Sequence, residues 1–307
     1  MEIKMQFINR WMARVIPCIP RTLVQKISQR YIAGATLEHA VQRMQGLNRQ
    51  GFGVTVDVLG ESIASLEQAE HAVDAYLQTL AAIGAHGLDA TVSVKPSALG
   101  LLLDRQYCEQ AVGRIVQAAE DHRSAVCIDM EDVSCTDMEI ALFSGLHAAG
   151  RDVSLAIQAY LRRTGDDLES LLAQGSSLRI CKGIYLESSQ FLVTGAQHDR
   201  SAINPHFLRH VARCFDNGTF VSIATHDAVL IRQVLALVEQ RGVDRARFEF
   251  QMLLGVCEPL RDRLKAQGYA VRIYVPYGKD WYGYSTRRMK ENPAIAAHVV
   301  KAMFLRR

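Results

Sequence analysis

Eight short β-prone runs, each separated from the next by a stretch of helical period, occupy the chain from Phe52 to Val275. The runs are 52–58, 91–94, 125–129, 153–158, 178–182, 220–225, 247–251 and 271–275, and the helical stretches are 66–83, 106–121, 139–149, 168–173, 205–215, 228–240 and 259–267. Neighbouring strands joined through a helix must run parallel, because a parallel pair needs a crossover of about a dozen residues or more. Two architectures use this alternation, a closed (β/α)8 barrel and an open doubly wound sheet. The open sheet usually shows a glycine-rich phosphate loop after an early strand, and neither GxGxxG nor GxxxxGK[ST] occurs here. The pattern therefore predicts an α/β fold, a (β/α)8 TIM-type barrel over residues 49–292. It leaves residues 1–48 as an N-terminal helical arm and 293–307 as a C-terminal helix.

Composition closes off several classes of function. With 49% hydrophobic and 22% charged residues among 307, the chain is of globular type, and a net charge of +3 gives no field for nucleic acid. No apolar run reaches the roughly 18 to 20 residues of a membrane span, and Arg10, Arg14 and Arg21 break the early apolar patches, so no secretory signal is read. The seven cysteines contain no CxxC pair, which suits a reducing compartment and argues against structural zinc. The expected location is cytoplasmic. The amphipathic arm, with Met5, Ile8, Met12, Val15 and Ile16 flanked by Phe7 and Trp11, can dock on the body of the protein or lie on a membrane surface.

Active sites of such barrels form at the carboxyl ends of the strands. There the sequence places Asp57 and Glu61, Lys95, Asp129 with Glu131, Gln158, Lys182, Thr225 with His226, Gln251 and Tyr274. Each alone has a plain structural reading: Lys95 and Asp129 as an ion pair, Gln158 and Gln251 as loop caps, His226 as a core histidine. Together they ask for a ligand, since burying several unpaired polar groups is costly. Downstream, Asp280 can cap a helix that carries Arg287 and Arg288 after a Tyr-rich turn, and the two arginines either form a solvated basic face or offer a planar fork to a carboxylate, with Lys95 as a further cation. A small acid fits that cradle.

Eight motifs, one per strand and in order, carry a likeness: VDVLGE (56–61), SVKPSALGL (93–101), CIDMED (127–132), LAIQAY (155–160), LRICKGIYLE (178–187), IATHD (223–227), FEFQMLLG (248–255) and YVPYGKDWYGYSTRRMKENP (274–293). They resemble the proline dehydrogenases, in their monofunctional branch given the length. The resemblance implies an FAD-dependent barrel oxidising L-proline to Δ1-pyrroline-5-carboxylate, with hydride passing from proline C5 to flavin N5 and electrons then to a quinone. It implies Arg287, Arg288 and Lys95 on the substrate carboxylate, with Asp129 orienting Lys95. Tyr185, Leu253 and Tyr274 would wall the ring, with Glu61 as the acidic partner of Arg287. Gln158 and Arg179 would attend the isoalloxazine, and Lys182, Gly183, Thr225, His226 and Glu291 the rest of the FAD; no metal is implied. A separate pyrroline-5-carboxylate dehydrogenase becomes a candidate partner. The arm and the stripe Ile295, Val299, Met303 and Phe304 become candidate peripheral contacts with an inner membrane.

Other readings remain open at this level. A related cyclic imino acid such as hydroxyproline can replace proline, although a Tyr274 ring beside the substrate would crowd a 4-hydroxyl. Lys95 or Lys182 at a strand end can serve a Schiff-base aldolase if burial lowers its pKa, which a neighbouring Asp129 would oppose. A flavin-binding protein without turnover is a third reading.

Overall fold

The structure, a computed structural model, describes Val24, residues 28–60 and 63–282, Tyr284 and Ser285. The expected arm helix over 5–16 and the stripe from Ile295 to Phe304 lie outside the described residues.

Eight parallel strands close into one barrel in sequence order. They are β1 (Gly53–Val58), β2 (Ala90–Val94), β3 (Val126–Ile128), β4 (Val153–Gln158), β5 (Ser177–Cys181), β6 (Val221–Ala224), β7 (Phe248–Leu253) and β8 (Val271–Tyr277). β1 pairs with both β2 and β8, which closes the ring. The helices are α1 (Leu37–Arg49) ahead of β1, then α2 (Leu66–Ala85), α3 (Arg105–Asp121), α4 (Thr136–Ala148), α5 (Thr164–Ala173), α6 (Asn204–Asp216), α7 (Ala228–Arg241) and α8 (Glu258–Ala266), one in each crossover. The barrel expected from the strand–helix alternation is the fold observed.

Local chemistry sets the helix starts. Thr36, Ser65, Asp104 and Asp227 each turn a side-chain oxygen onto an amide of the first turn of α1, α2, α3 and α7. At α2 the cap is reciprocal, since Gln68 Oε1 accepts from the Ala64 N–H at 2.6 Å while Ser65 caps Gln68. Expected helices over 139–149 and 168–173 begin earlier, at Thr136 and Thr164, because polar Asp137, Asp166 and Asp167 fill their first turns and dilute the apolar period.

The strands also alternate strictly. Val54, Val56, Val92, Val94, Val126, Ile128, Leu155, Ile157, Leu178, Ile180, Val221, Ile223, Phe248, Phe250, Ile273 and Val275 are buried in the main apolar core shared with the helices. The residues between them are largely polar and face the lumen, for Arg179 on β5 donates to Ser93 on β2, and Tyr274 on β8 donates to Asp129 just after β3. Neither pair of strands is adjacent, so both bonds cross the interior. Barrel interiors are usually filled by branched apolar side chains. This one is lined by hydrogen-bonding groups, which places a polar floor directly under the mouth.

Candidate active site

Four charged groups meet at the carboxyl ends of β1, β2 and β3 and at the middle of β5. Lys95 Nζ donates to Asp57 Oδ1 at 2.8 Å and to Asp129 Oδ2 at 3.3 Å. Arg179 Nη1 donates to Asp129 Oδ1 at 2.6 Å and to Ser93 Oγ at 2.9 Å. The Tyr274 hydroxyl donates to Asp129 Oδ2 at 2.8 Å and lies 3.3 Å from Lys95 Nζ. The Lys95 ammonium and the Arg179 guanidinium carbon also sit 5.9 and 5.6 Å from the Tyr274 ring centre. Strand register steps these groups up the barrel by two residues per strand: Tyr274 pairs with Thr55, two residues before Asp57, and Asp57 pairs with Ser93, two residues before Lys95.

Burial makes the cluster electrostatically stiff. Desolvation works against the Lys95 charge, but Asp57, Tyr274 and Asp129 outweigh it and carry its pKa well above the ordinary value. Burial likewise disfavours the Asp129 carboxylate, yet Lys95 and Arg179 hold its pKa below the usual range. Burial and the two neighbouring carboxylates push the Tyr274 phenol well up, so it remains a hydrogen-bond donor. Asp57, 1% exposed, is raised by burial despite Lys95. Asp57, Asp129, Lys95 and Arg179 cancel in charge.

The next group lies along the ends of β4 to β7. Gln158 Nε2 donates to the Met130 and Glu131 carbonyls at 3.1 and 2.6 Å, while its buried Oε1 has no partner among the described residues. Lys182 Nζ pairs with Asp227 at 2.7 Å, and Asp227 also takes Asn204 and caps α7; burial notwithstanding, these bonds hold its pKa down to about 2. Gly183 has φ of +96°, and a Cβ there would lie 2.3 Å from the Tyr160 ring, so the site needs glycine. Its carbonyl accepts from Arg200 Nη2 at 2.6 Å. Thr225 Oγ1 accepts from the Asp227 N–H, and His226 Nε2 accepts from the Leu253 N–H at 2.8 Å. That bond sets the end of β7, where Leu253 pairs with Tyr274. Tyr185, half-buried, accepts through its carbonyl from the Tyr160 hydroxyl.

Lys95, Asp129, Tyr274 and Arg179 thus share one cluster, with Leu253 beside Tyr274. Glu61, Arg287, Arg288 and Glu291 lie outside the described residues. Two plain structural readings hold in part, for Lys95 and Asp129 are ion-paired and Gln158 does tie down a loop. The closer carboxylate to Lys95 is Asp57, a strand-end group to which the sequence attached no role. Its signal was the in-phase position of Asp57 two residues after Thr55 on a strand whose alternate positions are valine.

The family model "Proline dehydrogenase" matches residues 40–301. The chain is 35% identical over 272 residues to proline dehydrogenase 2 of Bacillus subtilis (strain 168), covering 89% of this chain and 88% of that one. It is 33% identical over 290 residues to the proline dehydrogenase of Deinococcus radiodurans, covering 93% and 92%. Among solved structures, proline utilization A from Bdellovibrio bacteriovorus superposes with a TM-score of 0.80 at 20% identity, over 87% of this chain and 33% of that longer one. That likeness bears on the fold, and the sequence matches on the lineage: the chain belongs to the proline dehydrogenase family.

Proposed function

We propose that the chain oxidises L-proline to Δ1-pyrroline-5-carboxylate with FAD as its cofactor and passes the electrons to a quinone. The observation that carries this reading is the part-buried, charge-balanced cluster of Lys95, Asp57, Asp129, Arg179 and Tyr274 at the barrel mouth, in which Asp57 and Arg179 are buried, in a chain of this family.

The residues present suit a flavin. Gln158 Oε1 is a buried acceptor without a donor, and Arg179 Nη2 has no hydrogen-bond partner among the described residues, so a ring bearing both an N–H and acceptor atoms would satisfy each. Lys182, Gly183, Thr225 and His226, at the ends of β5 and β6, would hold the remainder of the cofactor, with Glu291 beyond the described residues. When bound, FAD supplies a two-electron acceptor for the hydride that leaves C5 of proline.

The chain's own task is to bind, orient and keep dry. Proline must react with a neutral nitrogen, whose lone pair assists loss of the hydride. Tyr274, Leu253 and Tyr185 would wall the pyrrolidine ring in a near-attack pose above the charged cluster. Because Asp57 and Asp129 already match the charges of Lys95 and Arg179, net attraction for the carboxylate falls to Arg287 and Arg288, with Glu61 as the partner of Arg287. A Schiff-base role for Lys95 is disfavoured by two carboxylates that keep its amine protonated.

The test is anaerobic addition of L-proline and its analogues to purified, FAD-loaded protein. Loss of oxidised-flavin absorbance with proline, and a weaker loss with 4-hydroxyproline, is the expected result. Loaded protein that proline leaves coloured would sink the reading. Reoxidation of the bleached protein by a soluble quinone, faster than by oxygen, tests the acceptor.

A further inference from the structure

Beneath the cluster, the barrel interior holds a second set of charges joined to it through one amide. Gln251 Oε1 accepts from Arg179 Nε at 2.6 Å, and Gln251 Nε2 donates to Glu249 Oε1 at 2.7 Å. Glu249 also accepts from Ser222 Oγ at 3.2 Å and takes Arg272 Nε on both oxygens at 3.0 Å. Glu249 and Gln251 are each 8% exposed. β7 brings them to the lumen as alternate residues, and β5, β6 and β8 bring Arg179, Ser222 and Arg272.

The amide has only one workable orientation here. Flipped, it would set its oxygen against the Glu249 carboxylate and its NH2 against the Arg179 guanidinium, two repulsive contacts in place of two bonds. Glu249 therefore dictates which end of Gln251 faces Arg179. Arg179 is in turn held at Nε by Gln251 and at Nη1 by Ser93 and Asp129, which leaves Nη2 without a hydrogen bond among the described residues. Bonds at Nε and Nη1, together with the covalent tether at Cδ, define the plane of the guanidinium. With Nη1 alone, the group would pivot about that anchor.

We infer that Glu249 and Gln251 are positioning residues that fix the plane of Arg179, and with it the electron affinity of the cofactor. The inference rests on the flavin reading above. A fixed positive charge at the redox ring favours its electron-rich reduced form. Releasing Nε lets that charge retreat toward Asp129, and the reduced form loses support while the fold and the cofactor contacts from β4 and β6 remain.

The experiment is spectroelectrochemical titration of FAD-loaded wild type, Gln251→Met and Glu249→Gln, each with its flavin content and melting curve. Methionine keeps the length of Gln251 and removes both bonds; Glu249→Gln keeps a carbonyl that can accept from Gln251 Nε2. The expected result for Gln251→Met is full flavin content with a preference for the reduced form weakened about tenfold, or ~30 mV more negative for a two-electron couple. Glu249→Gln should stay within about threefold of wild type, since it preserves the amide orientation. A loaded Gln251→Met protein with the wild-type potential overturns the inference and leaves the flavin reading intact. If Gln251→Met does not fold, Glu249→Leu is titrated in its place, and an unchanged potential there overturns the inference equally. Wild-type protein that binds no flavin removes both.

Discussion

Asp57 offers the most direct test of how the cluster is held together. It is 1% exposed and gives Lys95 its shorter ion pair, 2.8 Å against 3.3 Å to Asp129. Asp57→Ala leaves a buried ammonium with one carboxylate, itself shared with Arg179, and the Tyr274 hydroxyl. Breaking a buried pair by deleting one partner costs about 3–5 kcal/mol. The surviving Asp129 and Tyr274 contacts place the expected loss at the lower end, about 3 kcal/mol. Asp57→Asn keeps an acceptor for Nζ and should lose only about 1–2 kcal/mol. In a chain this long, 3 kcal/mol corresponds to a fall in melting temperature of roughly 5 °C. The assay is thermal and urea unfolding of the apoprotein, so that altered cofactor retention does not enter. Lys95→Met and the double variant complete a cycle, in which the double variant should lose at least about 1 kcal/mol less than the sum of the singles. If Asp57→Ala loses under about 1 kcal/mol, or the two losses simply add, Asp57 is not what stabilises the charge on Lys95.

Three further outcomes follow from groups around the barrel. Glu139 is pushed up to about 9 by burial and by Glu131, whose N–H it accepts. A carboxyl with a raised folded pKa contributes stability below its unfolded value that is lost as pH climbs, so wild-type stability should fall between pH of about 4.5 and about 9. Glu139→Gln should flatten that slope and gain about 1–3 kcal/mol at pH 8 in urea melts; an unchanged slope would count against the assignment. Gly183→Ala should cost at least about 2 kcal/mol and lower FAD retention, because it combines a left-handed backbone with a clash on Tyr160; wild-type melting and flavin content would show that the turn can shift. Among the described cysteines, exposed Cys257 should react first with an aromatic disulfide at pH 8, while Cys108 and Cys214, both pushed up to about 12 by burial, stay unmodified until the protein unfolds, as mass mapping would reveal.

The fold was largely legible in the sequence because both of its periodicities are clean. Valines and isoleucines at alternate positions marked the strands, and every crossover carried a helical stretch, so the barrel followed from counting. Lys95 and Asp129 could be placed at one mouth for the same reason, whereas Tyr274, expected near a strand end, sits at the middle of β8, which runs on to Tyr277. Which carboxylate Lys95 prefers could not, since Asp57 and Asp129 are both one strand away and the choice is a matter of ångströms across the lumen. Nor could the lumen bonds of Arg179, which join β5 to β2 and β7, because alternation says that a residue faces inward and nothing about how far it reaches.

The same alternation explains why such a barrel needs so many charges in its interior. Lysine, two arginines, two aspartates and a glutamate run from Asp57 through Lys95, Asp129, Arg179 and Gln251 to Glu249 and Arg272, each bonded to the next. An apolar filling would pack as well and cost less desolvation, since replacing buried ion pairs by hydrophobic residues is often neutral or stabilising by about 1–4 kcal/mol. What an apolar filling cannot do is hold two cations at fixed points at the mouth, in a dry environment, with no net charge to repel an incoming anion or capture water. The three positive and three negative groups achieve that: each cation is already matched, so its position is set by the protein and not by the ligand. On the proposed function, affinity for an acid would then come from outside the balanced set, with Arg287 and Arg288 as the groups whose charge a substrate carboxylate would complete.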